Sequence, residues 1–332
     1  MDKVNVAVIG VGVFGKHHVR VYKSLKEANL VSICDVDERR AREIGELYNV
    51  KYYTSIERMF EKEDIEAVSI VVPTSKHYEV AKRVFEYNVH ALIEKPLASS
   101  IREAEEIVRE AKRRNLKLMV GHLERFNPIV GKVKDIIERE EYGKLISIHA
   151  YRLGLYPTRV QDVGVTIDWA IHDVDVMRFI VGDKVATVYG LVDDAGGQDS
   201  ISLALLEFRN GVYGSLEANW NTSIKVRGVR IVLRDAIMNM NYIKQEVKIY
   251  TRVENAPECK SFEEFVMRFG EPPCSTVRVK IREPLENELR LFLKSIISGE
   301  EPPVSGEDGI ENLRIIEAIL ESCRTGKRIK LH

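Results

Sequence analysis

A glycine-rich turn near the start of the sequence constrains the fold more than any other feature. It follows the apolar run Val4–Ile9, precedes an amphipathic stretch, and reads Gly10-Val11-Gly12-Val13-Phe14-Gly15. In a strand–turn–helix unit the first glycine permits the tight turn, the second lets a pyrophosphate approach the backbone, and the third lets helix and strand pack closely. The free N–H groups of the helix N-terminus then face the anion. The pattern predicts a dinucleotide site that includes Val13 and Phe14, whereas an ordinary glycine-rich turn is the simpler alternative.

Short apolar runs alternate with amphipathic stretches as far as Gly121. Strands that are apolar on both faces and separated by helices are typical of a parallel, doubly wound sheet. Ligands bind such a sheet at the carboxyl ends of its strands. An α/β Rossmann domain is therefore predicted over residues 1–122. Its expected strands are Val4–Ile9, Val31–Cys34, Ala67–Val72, His90–Ile93 and Lys117–Gly121, and its expected helices are Phe14–Leu25, Glu38–Tyr48, His77–Tyr87 and Ile101–Asn115.

The pattern changes after Gly121. A helix over Thr166–Val181 is followed by consecutive strand-like runs between Thr187 and Tyr250. Strands that follow one another without helices indicate a mainly antiparallel sheet with helices on one face, and hence an α+β domain over residues 123–332. The other face of this sheet is expected to be open. Because a large apolar face is rarely left bare, a partner subunit is expected to cover it.

Asp35 stands at the end of the second predicted strand, 20 positions after Gly15. A carboxylate at this place accepts hydrogen bonds from the adenosine ribose hydroxyls and repels a 2′-phosphate, which favours NAD over NADP. Arg39 and Arg40 follow on the next helix and could weaken this preference, and Arg39 is included among the predicted cofactor contacts. A solvated helix face is the alternative interpretation of both arginines.

The segment after the strand Ala67–Val72 also points to the cofactor. In a doubly wound sheet this strand end faces the ligand crevice, so Pro73, Thr74 and His77 are predicted to contact the dinucleotide. Capping of the next helix by Thr74 or Ser75 would explain the same residues without a ligand.

Glu94-Lys95-Pro96 lies at the carboxyl end of a later strand. Proline restricts the preceding residue to extended conformations, so Lys95 is expected to be held rigidly. A lysine there could donate a hydrogen bond to a substrate oxygen and stabilise developing alkoxide charge. Glu94 and Lys95 are also predicted to lie beside the cofactor. The alternative is a surface lysine in a turn.

Asp168 and His172 are four residues apart on the predicted helix Thr166–Val181, so their side chains are neighbours. A carboxylate beside an imidazole fixes the tautomer of the ring and raises its basicity, as a general base requires. An inert pair on the helix surface is the competing interpretation. Asp175 is expected to pair with Arg178. No second histidine is near, so a metal site is disfavoured and none is predicted.

Composition excludes several classes of function. Lys plus Arg (50) and Asp plus Glu (51) nearly cancel, so the charge indicates neither nucleic acid nor a membrane surface as a partner. The four cysteines form no Cys-x-x-Cys pair, which disfavours a disulfide scaffold and a cysteine zinc site. No signal peptide or membrane span is visible, so a soluble, cytoplasmic protein is expected. Glutamine occurs only at Gln161, Gln198 and Gln245, a bias that fits a thermophile's protein.

The glycine motif, Glu94-Lys95-Pro96 and the Asp168–His172 pair together resemble the glucose–fructose oxidoreductase and inositol dehydrogenase (Gfo/Idh/MocA) family. The likeness covers essentially the whole chain in order and spacing. It implies that Lys95 and His172 line the substrate pocket and that Asp168 pairs with His172. It also implies that the open sheet of the second domain assembles the subunits into homodimers or homotetramers.

A narrower resemblance concerns Pro157–Val165, which looks like the archaeal-type UDP-N-acetylglucosamine 3-dehydrogenases of this family. It implies a nucleotide-sugar substrate whose diphosphate Arg159 could bind through a bidentate contact. Ordinary surface charge is the alternative for each basic candidate, and strand-end packing is the alternative for His122. The further candidates for substrate contact are His122, Asn127, Trp220, Asn221, Lys225, Arg227 and Arg230.

The predicted function is an NAD-dependent dehydrogenase that oxidises a sugar hydroxyl, with His172 as the base, Asp168 as its partner and Lys95 at the oxygen. A free polyol or aldose such as inositol is the alternative substrate. A cofactor-binding regulator without chemistry is the alternative class of protein. The three residues favour the enzyme, because a sensor needs no proton acceptor beside a nicotinamide.

Overall fold

The computed structural model describes residues 3–156, 163–193, 198–251, 259–270 and 273–331. The chain divides into two compact units: Met1–Phe126 with Glu283–Arg314, and Asn127–Arg282 with Ile315–His332. In the described parts of the chain, no helix is both long enough and apolar enough to cross a membrane.

Strands and helices alternate in the first part of the chain. The strands form one sheet in the order β3-β2-β1-β4-β5-β6, and every neighbouring pair is parallel. The central strands are buried on both faces, as a strand in the middle of a doubly wound sheet requires. This sheet confirms the predicted Rossmann fold. The elements are β1 (Val4–Ile9), α1 (Gly15–Ser24), β2 (Ala28–Cys34), α2 (Glu38–Tyr48), β3 (Lys51–Tyr53), α3 (Ile56–Lys62), β4 (Ala67–Ile70), α4 (His77–Glu86), β5 (His90–Glu94), α5 (Ile101–Arg113) and β6 (Leu118–Gly121).

The edge strand β3 was not predicted from the sequence. It has three residues, of which Lys51 and Tyr52 are exposed, so it carries no apolar run that a pattern could detect. It pairs with the carboxyl-terminal half of β2, where Cys34 lies opposite Tyr53.

The remaining elements begin after a short 3₁₀ turn, Leu123–Phe126. Their strands form a second sheet in the order β14-β13-β12-β11-β7-β10-β9-β8-β15. Only β7 and β10 pair in parallel among the described strands of this sheet, which confirms the predicted, mainly antiparallel α+β domain. The elements are α6 (Pro128–Glu138), β7 (Leu145–Leu155), a π-helical turn (Thr166–Ala170), α7 (Ile171–Val181), β8 (Val185–Val192), β9 (Ile201–Phe208), β10 (Tyr213–Asn219), β11 (Asn221–Leu233), β12 (Ala236–Asn241), β13 (Glu246–Thr251), α8 (Phe262–Phe269), β14 (Cys274–Arg278), α9 (Pro284–Ser298), α10 (Gly306–Thr325) and β15 (Ile329–Lys330).

One face of this sheet is covered and the other is open. Along β9, Ala204 and Leu206 are buried, whereas the alternate residues Leu203 and Leu205 are 41% and 61% exposed. Successive side chains of a strand point to opposite faces, so the exposed leucines belong to the open face that the sequence predicted.

The helix α9 and the start of α10 belong to the first unit. Leu289, Phe292 and Leu293 of α9 are fully buried in the same core as the parallel sheet. The single boundary predicted after residue 122 therefore differs from the division in the structure. An amphipathic helix shows that it has an apolar face, but its sequence does not show which core that face packs against.

Candidate functional site

The glycine turn has the geometry that its sequence predicted. Gly10 has a positive φ of +88°, and a Cβ at this residue would lie 2.5 Å from the carbonyl oxygen of Val71. A Cβ at Gly15 would overlap the carbonyl oxygen of Gly10. In contrast, a Cβ at Gly12 would meet no atom within 4 Å. The first and third glycines are required by the fold, and the second leaves open space where a pyrophosphate can approach.

The N-terminus of α1 is suited to an anion. Phe14 is the residue that precedes the helix, its side chain makes no capping hydrogen bond, and the first turn holds no acidic residue. The positive end of the helix dipole is therefore not neutralised by the helix itself. Val13, in the turn, is 58% exposed. These residues fit a dinucleotide pyrophosphate.

Asp35 is buried and has two roles. Its Oδ2 accepts a hydrogen bond of 2.8 Å from the backbone N–H of Val11, inside the glycine turn, and its Oδ1 accepts one of 3.0 Å from the N–H of Asp37. The carboxylate thus holds the turn as well as standing where ribose hydroxyls are expected. Arg40 donates to both of its oxygens at 3.2 Å.

Arg39 does not contact Asp35. Its side chain is 86% exposed and pairs with Glu43 one helical turn later, at 2.9 Å. The solvated-face alternative therefore describes Arg39, and the nearby basic residue that the structure brings to the predicted ribose site is Arg40.

His77 is buried rather than exposed to a ligand. Its Nδ1 lies 2.8 Å from the carbonyl oxygen of Pro96, and its Nε2 lies 3.0 Å from that of Val72. A neutral imidazole carries one N–H and can donate to one of these two carbonyl oxygens, and burial lowers the pKa of the ring. This placement argues against direct cofactor contact by His77.

Pro73 and Thr74 lie at the end of the β4 segment, and Thr74 begins a 3₁₀ turn over Thr74–Lys76. The helix α4 has no side-chain cap, so capping by Thr74 or Ser75 does not explain these residues.

Glu94, the last residue of β5, is buried between several elements. Its Oε1 lies 3.2 Å from Nε2 of His18, a fully buried histidine of α1, and its Oε2 accepts a hydrogen bond of 3.3 Å from the N–H of Lys95. Lys95 itself is half-buried. His18 was not predicted from the sequence. The available signal was a histidine on the buried stripe of α1, one turn after Gly15.

Asp168 lies in the π-helical turn and His172 lies in the first turn of α7. The uninterrupted α-helix that the sequence predicted is therefore wrong over Thr166–Ala170. π-helical turns are rare and frequently occur at functional sites. Asp168 is 5% exposed and His172 is half-buried. The pairing of the two side chains stays a prediction.

The acidic residue Asp199 fixes the start of this turn. It accepts a hydrogen bond of 2.7 Å from the backbone N–H of Thr166 and a second one from the Thr166 hydroxyl. A side chain at Gly164 would overlap the Asp199 carboxylate. The segment that carries Asp168 is therefore anchored from outside the helix.

A buried ion pair that the sequence did not indicate lies next to His172. Arg152 of β7 donates from Nε to Oδ2 of Asp173 at 2.8 Å and from Nη2 to Oδ1 at 3.0 Å, and both side chains are almost fully buried. Bidentate pairs of this kind fix both partners in orientation. The pair ties the first turn of α7 to the sheet.

The substrate candidates of the second unit are only partly brought together. The Arg227 guanidinium lies 5.9 Å from the ring of Trp169, and that ring meets Trp220 edge to face. Asn127 instead caps α6 and donates to the carbonyl of Tyr242 at 3.1 Å, a structural role.

His122 of the first unit is buried, and its Nε2 lies 3.0 Å from the side-chain nitrogen of Asn312. Arg159 lies outside the described residues. Among the residues that are described, no three His, Cys, Asp or Glu side chains cluster as metal ligands would.

Comparison with known proteins identifies both parts of the chain. Residues 4–122 match the model of an oxidoreductase family with an NAD-binding Rossmann fold, and residues 130–236 match the GFO/IDH/MocA C-terminal domain. UDP-N-acetylglucosamine 3-dehydrogenase of Acidithiobacillus ferrooxidans is 26% identical and aligns over 97% of this chain and 96% of its own length. Myo-inositol 2-dehydrogenase of Thermotoga maritima is also 26% identical, over 99% and 98%.

Solved structures show the same fold. The A. ferrooxidans enzyme superimposes with a TM-score of 0.85 at 24% identity, over 98% of this chain and 99% of that one. Levoglucosan dehydrogenase in complex with NADH superimposes with a TM-score of 0.88 at 21% identity, over the full length of both chains.

Proposed function

The chain belongs to the GFO/IDH/MocA oxidoreductase family and is an NAD(P)-dependent oxidoreductase that uses an NAD-type cofactor, and we propose that it oxidises a secondary hydroxyl of a sugar. The observation that carries the proposal is the place of Lys95. It follows the carboxyl end of β5, in the same parallel sheet whose β1 ends in the glycine turn. Ligands of doubly wound sheets bind at this edge, so a cofactor on the glycine turn and a substrate oxygen at Lys95 are compatible.

In the proposed reaction each residue has one task. The bound dinucleotide supplies a hydride acceptor. His172 accepts the proton of the hydroxyl, and Asp168 orients the imidazole and balances its charge once protonated. Lys95 donates a hydrogen bond to the oxygen as negative charge develops on it. The hydroxyl would thereby lose its proton to His172, the carbon that bears it would lose a hydride to the bound dinucleotide, and a ketone would result.

NAD is the proposed cofactor in preference to NADP. The support is Asp35, whose buried carboxylate lies where the adenosine ribose is expected and would repel a 2′-phosphate. Arg40 beside it is the feature that favours NADP, but its charge is already opposed by Asp35 and Asp37.

The proposed substrate is a nucleotide sugar, in the manner of a UDP-N-acetylglucosamine 3-dehydrogenase. The likeness to the A. ferrooxidans enzyme and the Arg227–Trp169 pair support it, because a guanidinium beside aromatic rings suits a phosphate and a base. Arg227 is the candidate for this contact in the described residues, and Arg159 is the second. Trp220 is 1% exposed and packs against Trp169, so its ring does not face a ligand. Inositol is the second candidate, favoured by the equally similar inositol dehydrogenase.

The open face of the second sheet is proposed to bind a second copy of this chain. Its exposed apolar side chains would form a patch unusual for a monomer. They include Tyr189, Leu191, Leu203, Leu205, Tyr213 and Ile237. Replacing Leu205 with Glu should lower the molar mass of the protein in solution. Leu47→Glu, which changes a leucine on α2 that is 70% exposed, should not lower it. Equal masses for both variants and the wild type would contradict this interface.

The function is tested by mixing the purified protein with NAD or NADP and a panel of UDP-sugars, inositols and aldoses. We expect reduced nicotinamide to accumulate with UDP-N-acetylglucosamine and NAD. His172→Ala should lower turnover by about 10²–10⁴-fold while NADH binding is kept. No turnover with any sugar, despite bound NADH, would overturn the proposal and favour a cofactor-binding regulator.

A further inference from the structure

Two buried histidines hold the residues on either side of Lys95. His18 lies against the side chain of Glu94, and His77 lies against the backbone of Pro96. We propose that His18 and His77 are positioning residues that fix the place of the Lys95 ammonium. The proposal rests on the role of Lys95 in the proposed function. It adds a role for His18 and His77, which the proposed reaction does not itself require.

The Glu94 side of Lys95 is held by a carboxylate with little freedom to move. His18 is completely buried on α1, and the ring of Phe14 meets it edge to face at 5.2 Å. On β6, a Cβ at Gly121 would lie 2.7 Å from the same Oε1 of Glu94. The carboxylate therefore occupies a slot between α1 and β6. A carboxylate this deeply buried needs hydrogen-bond donors, and His18 and the N–H of Lys95 supply them.

The Pro96 side is held by a histidine that spans two strand ends. His77 is 1% exposed, and its two nitrogens face the carbonyl oxygens of Pro96 and Val72. Val72 follows β4 and Pro96 follows β5, which are neighbours in the sheet. The ring therefore packs between the segment after Lys95 and the end of the adjacent strand, and its N–H donates to one of the two carbonyl oxygens.

The arrangement also links Lys95 to the nucleotide turn. His18 is on the helix that begins at Gly15, so the same helix carries the proposed pyrophosphate site and the donor to Glu94. A displacement of the reacting groups by about 1 Å can cost on the order of 10²-fold in rate. Anchors on both neighbours of Lys95 are a way to prevent that displacement.

The test compares pairs of variants. His18→Leu and His77→Leu remove the ring contacts, and His18→Gln keeps a side-chain donor for Glu94. The control is His90→Gln, since His90 lies at the other end of β5, where its Nδ1 accepts a hydrogen bond from the N–H of Lys117. All variants are first compared by thermal unfolding and by NADH binding, which we expect to change little relative to the catalytic effect.

The first readout requires no substrate. Lys95 is acetylated with a brief pulse of acetic anhydride over a range of pH, and its rate is measured by mass spectrometry, with the exposed Lys16 and Lys76 as internal references. We expect both leucine variants to change the acetylation rate of Lys95 and to leave the references unchanged. His18→Gln and His90→Gln should resemble the wild type. Unchanged labelling of Lys95 in both leucine variants would overturn the proposal.

The second readout is turnover with the sugar found to be oxidised. The leucine variants should lose on the order of 10- to 100-fold in kcat with little change in the KM for NAD, and His18→Gln should recover most of the loss. If no sugar is oxidised, the proposed function is wrong. The labelling result still shows whether His18 and His77 position Lys95. If a leucine variant does not fold, Glu94→Gln, which keeps the side-chain volume, takes its place. Wild-type labelling in that variant would also contradict the proposal.

Discussion

Gly15 and Gly10 touch so closely that a Cβ on Gly15 would overlap the Gly10 carbonyl oxygen, whereas Gly12 between them faces open space. The three glycines of one motif therefore serve two different purposes. Two of them let the chain fold, and the other leaves room for a ligand.

Alanine at these positions should separate the two purposes. Gly15→Ala must displace backbone and should lower the free energy of unfolding by at least about 1–3 kcal/mol. Gly12→Ala should change stability by less than about 0.5 kcal/mol and weaken NADH binding at least about tenfold, or about 1.4 kcal/mol. Denaturant unfolding measures the stability of each variant, and titration followed by fluorescence quenching measures its affinity for NADH. A Gly12→Ala variant that binds NADH as well as the wild type would contradict a pyrophosphate at this residue.

Asp35 should control the choice of cofactor through its charge. Asp35→Asn keeps an oxygen for the Val11 N–H but removes the negative charge that opposes a 2′-phosphate, and it frees Arg40 to bind one. The ratio of the Kd for NADPH to that for NADH should therefore fall at least about tenfold. Arg39→Ala is the control, because Arg39 pairs with Glu43 instead, and its ratio should match that of the wild type. An unchanged ratio in Asp35→Asn would mean that the preference between NADH and NADPH depends on other residues.

The positions of candidate site residues could be predicted from the sequence where they depend on local geometry. The glycine turn, Asp35 at a strand end and Glu94-Lys95-Pro96 all lie where a parallel sheet places its ligands, because strand, turn and helix signals are contained within a few residues. The alternation of buried and exposed residues that marks the open face of the second sheet is likewise a local signal that could be predicted from the sequence.

The sequence did not predict contacts between residues that are distant along the chain. The His18–Glu94 pair joins residues 76 positions apart, and the Arg152–Asp173 pair joins residues 21 apart. His77 was predicted to contact the cofactor because it follows a strand end. That position in the chain does not determine the direction in which its ring points. The π-helical turn before α7 was not predicted from the sequence, because over so short a segment its apolar spacing is the same as that of an α-helix.

The burial of His77 should make stability depend on pH. The unfolded chain binds a proton at the ordinary histidine pKa of 6.5, and burial lowers this pKa in the folded chain. Between the two values the unfolded state holds more protons, so the free energy of unfolding should fall as the pH decreases below 6.5 and stay constant above it. His77→Leu should show a shallower decrease in urea titrations. His90 and His149, whose pKa values burial also lowers, remain in both proteins. Equal slopes would contradict the contribution of His77.

The Arg152–Asp173 ion pair should contribute strongly to the stability of the second unit. Removing one partner of a buried ion pair leaves the other charge without the partner that matches it, so Arg152→Met should cost about 3–5 kcal/mol of stability. The matched control is Arg230→Met. Arg230 is an exposed arginine in the same sheet that bonds to Asn239, and its loss should cost less than about 0.5 kcal/mol.

A double variant separates the loss of charge compensation from the loss of volume. Arg152→Met with Asp173→Leu removes both charges, and replacing a whole buried pair with apolar residues is often close to neutral. Urea unfolding should therefore find the double variant more stable than Arg152→Met alone. If the double variant is instead less stable than either single change, packing rather than charge holds the first turn of α7, where His172 resides.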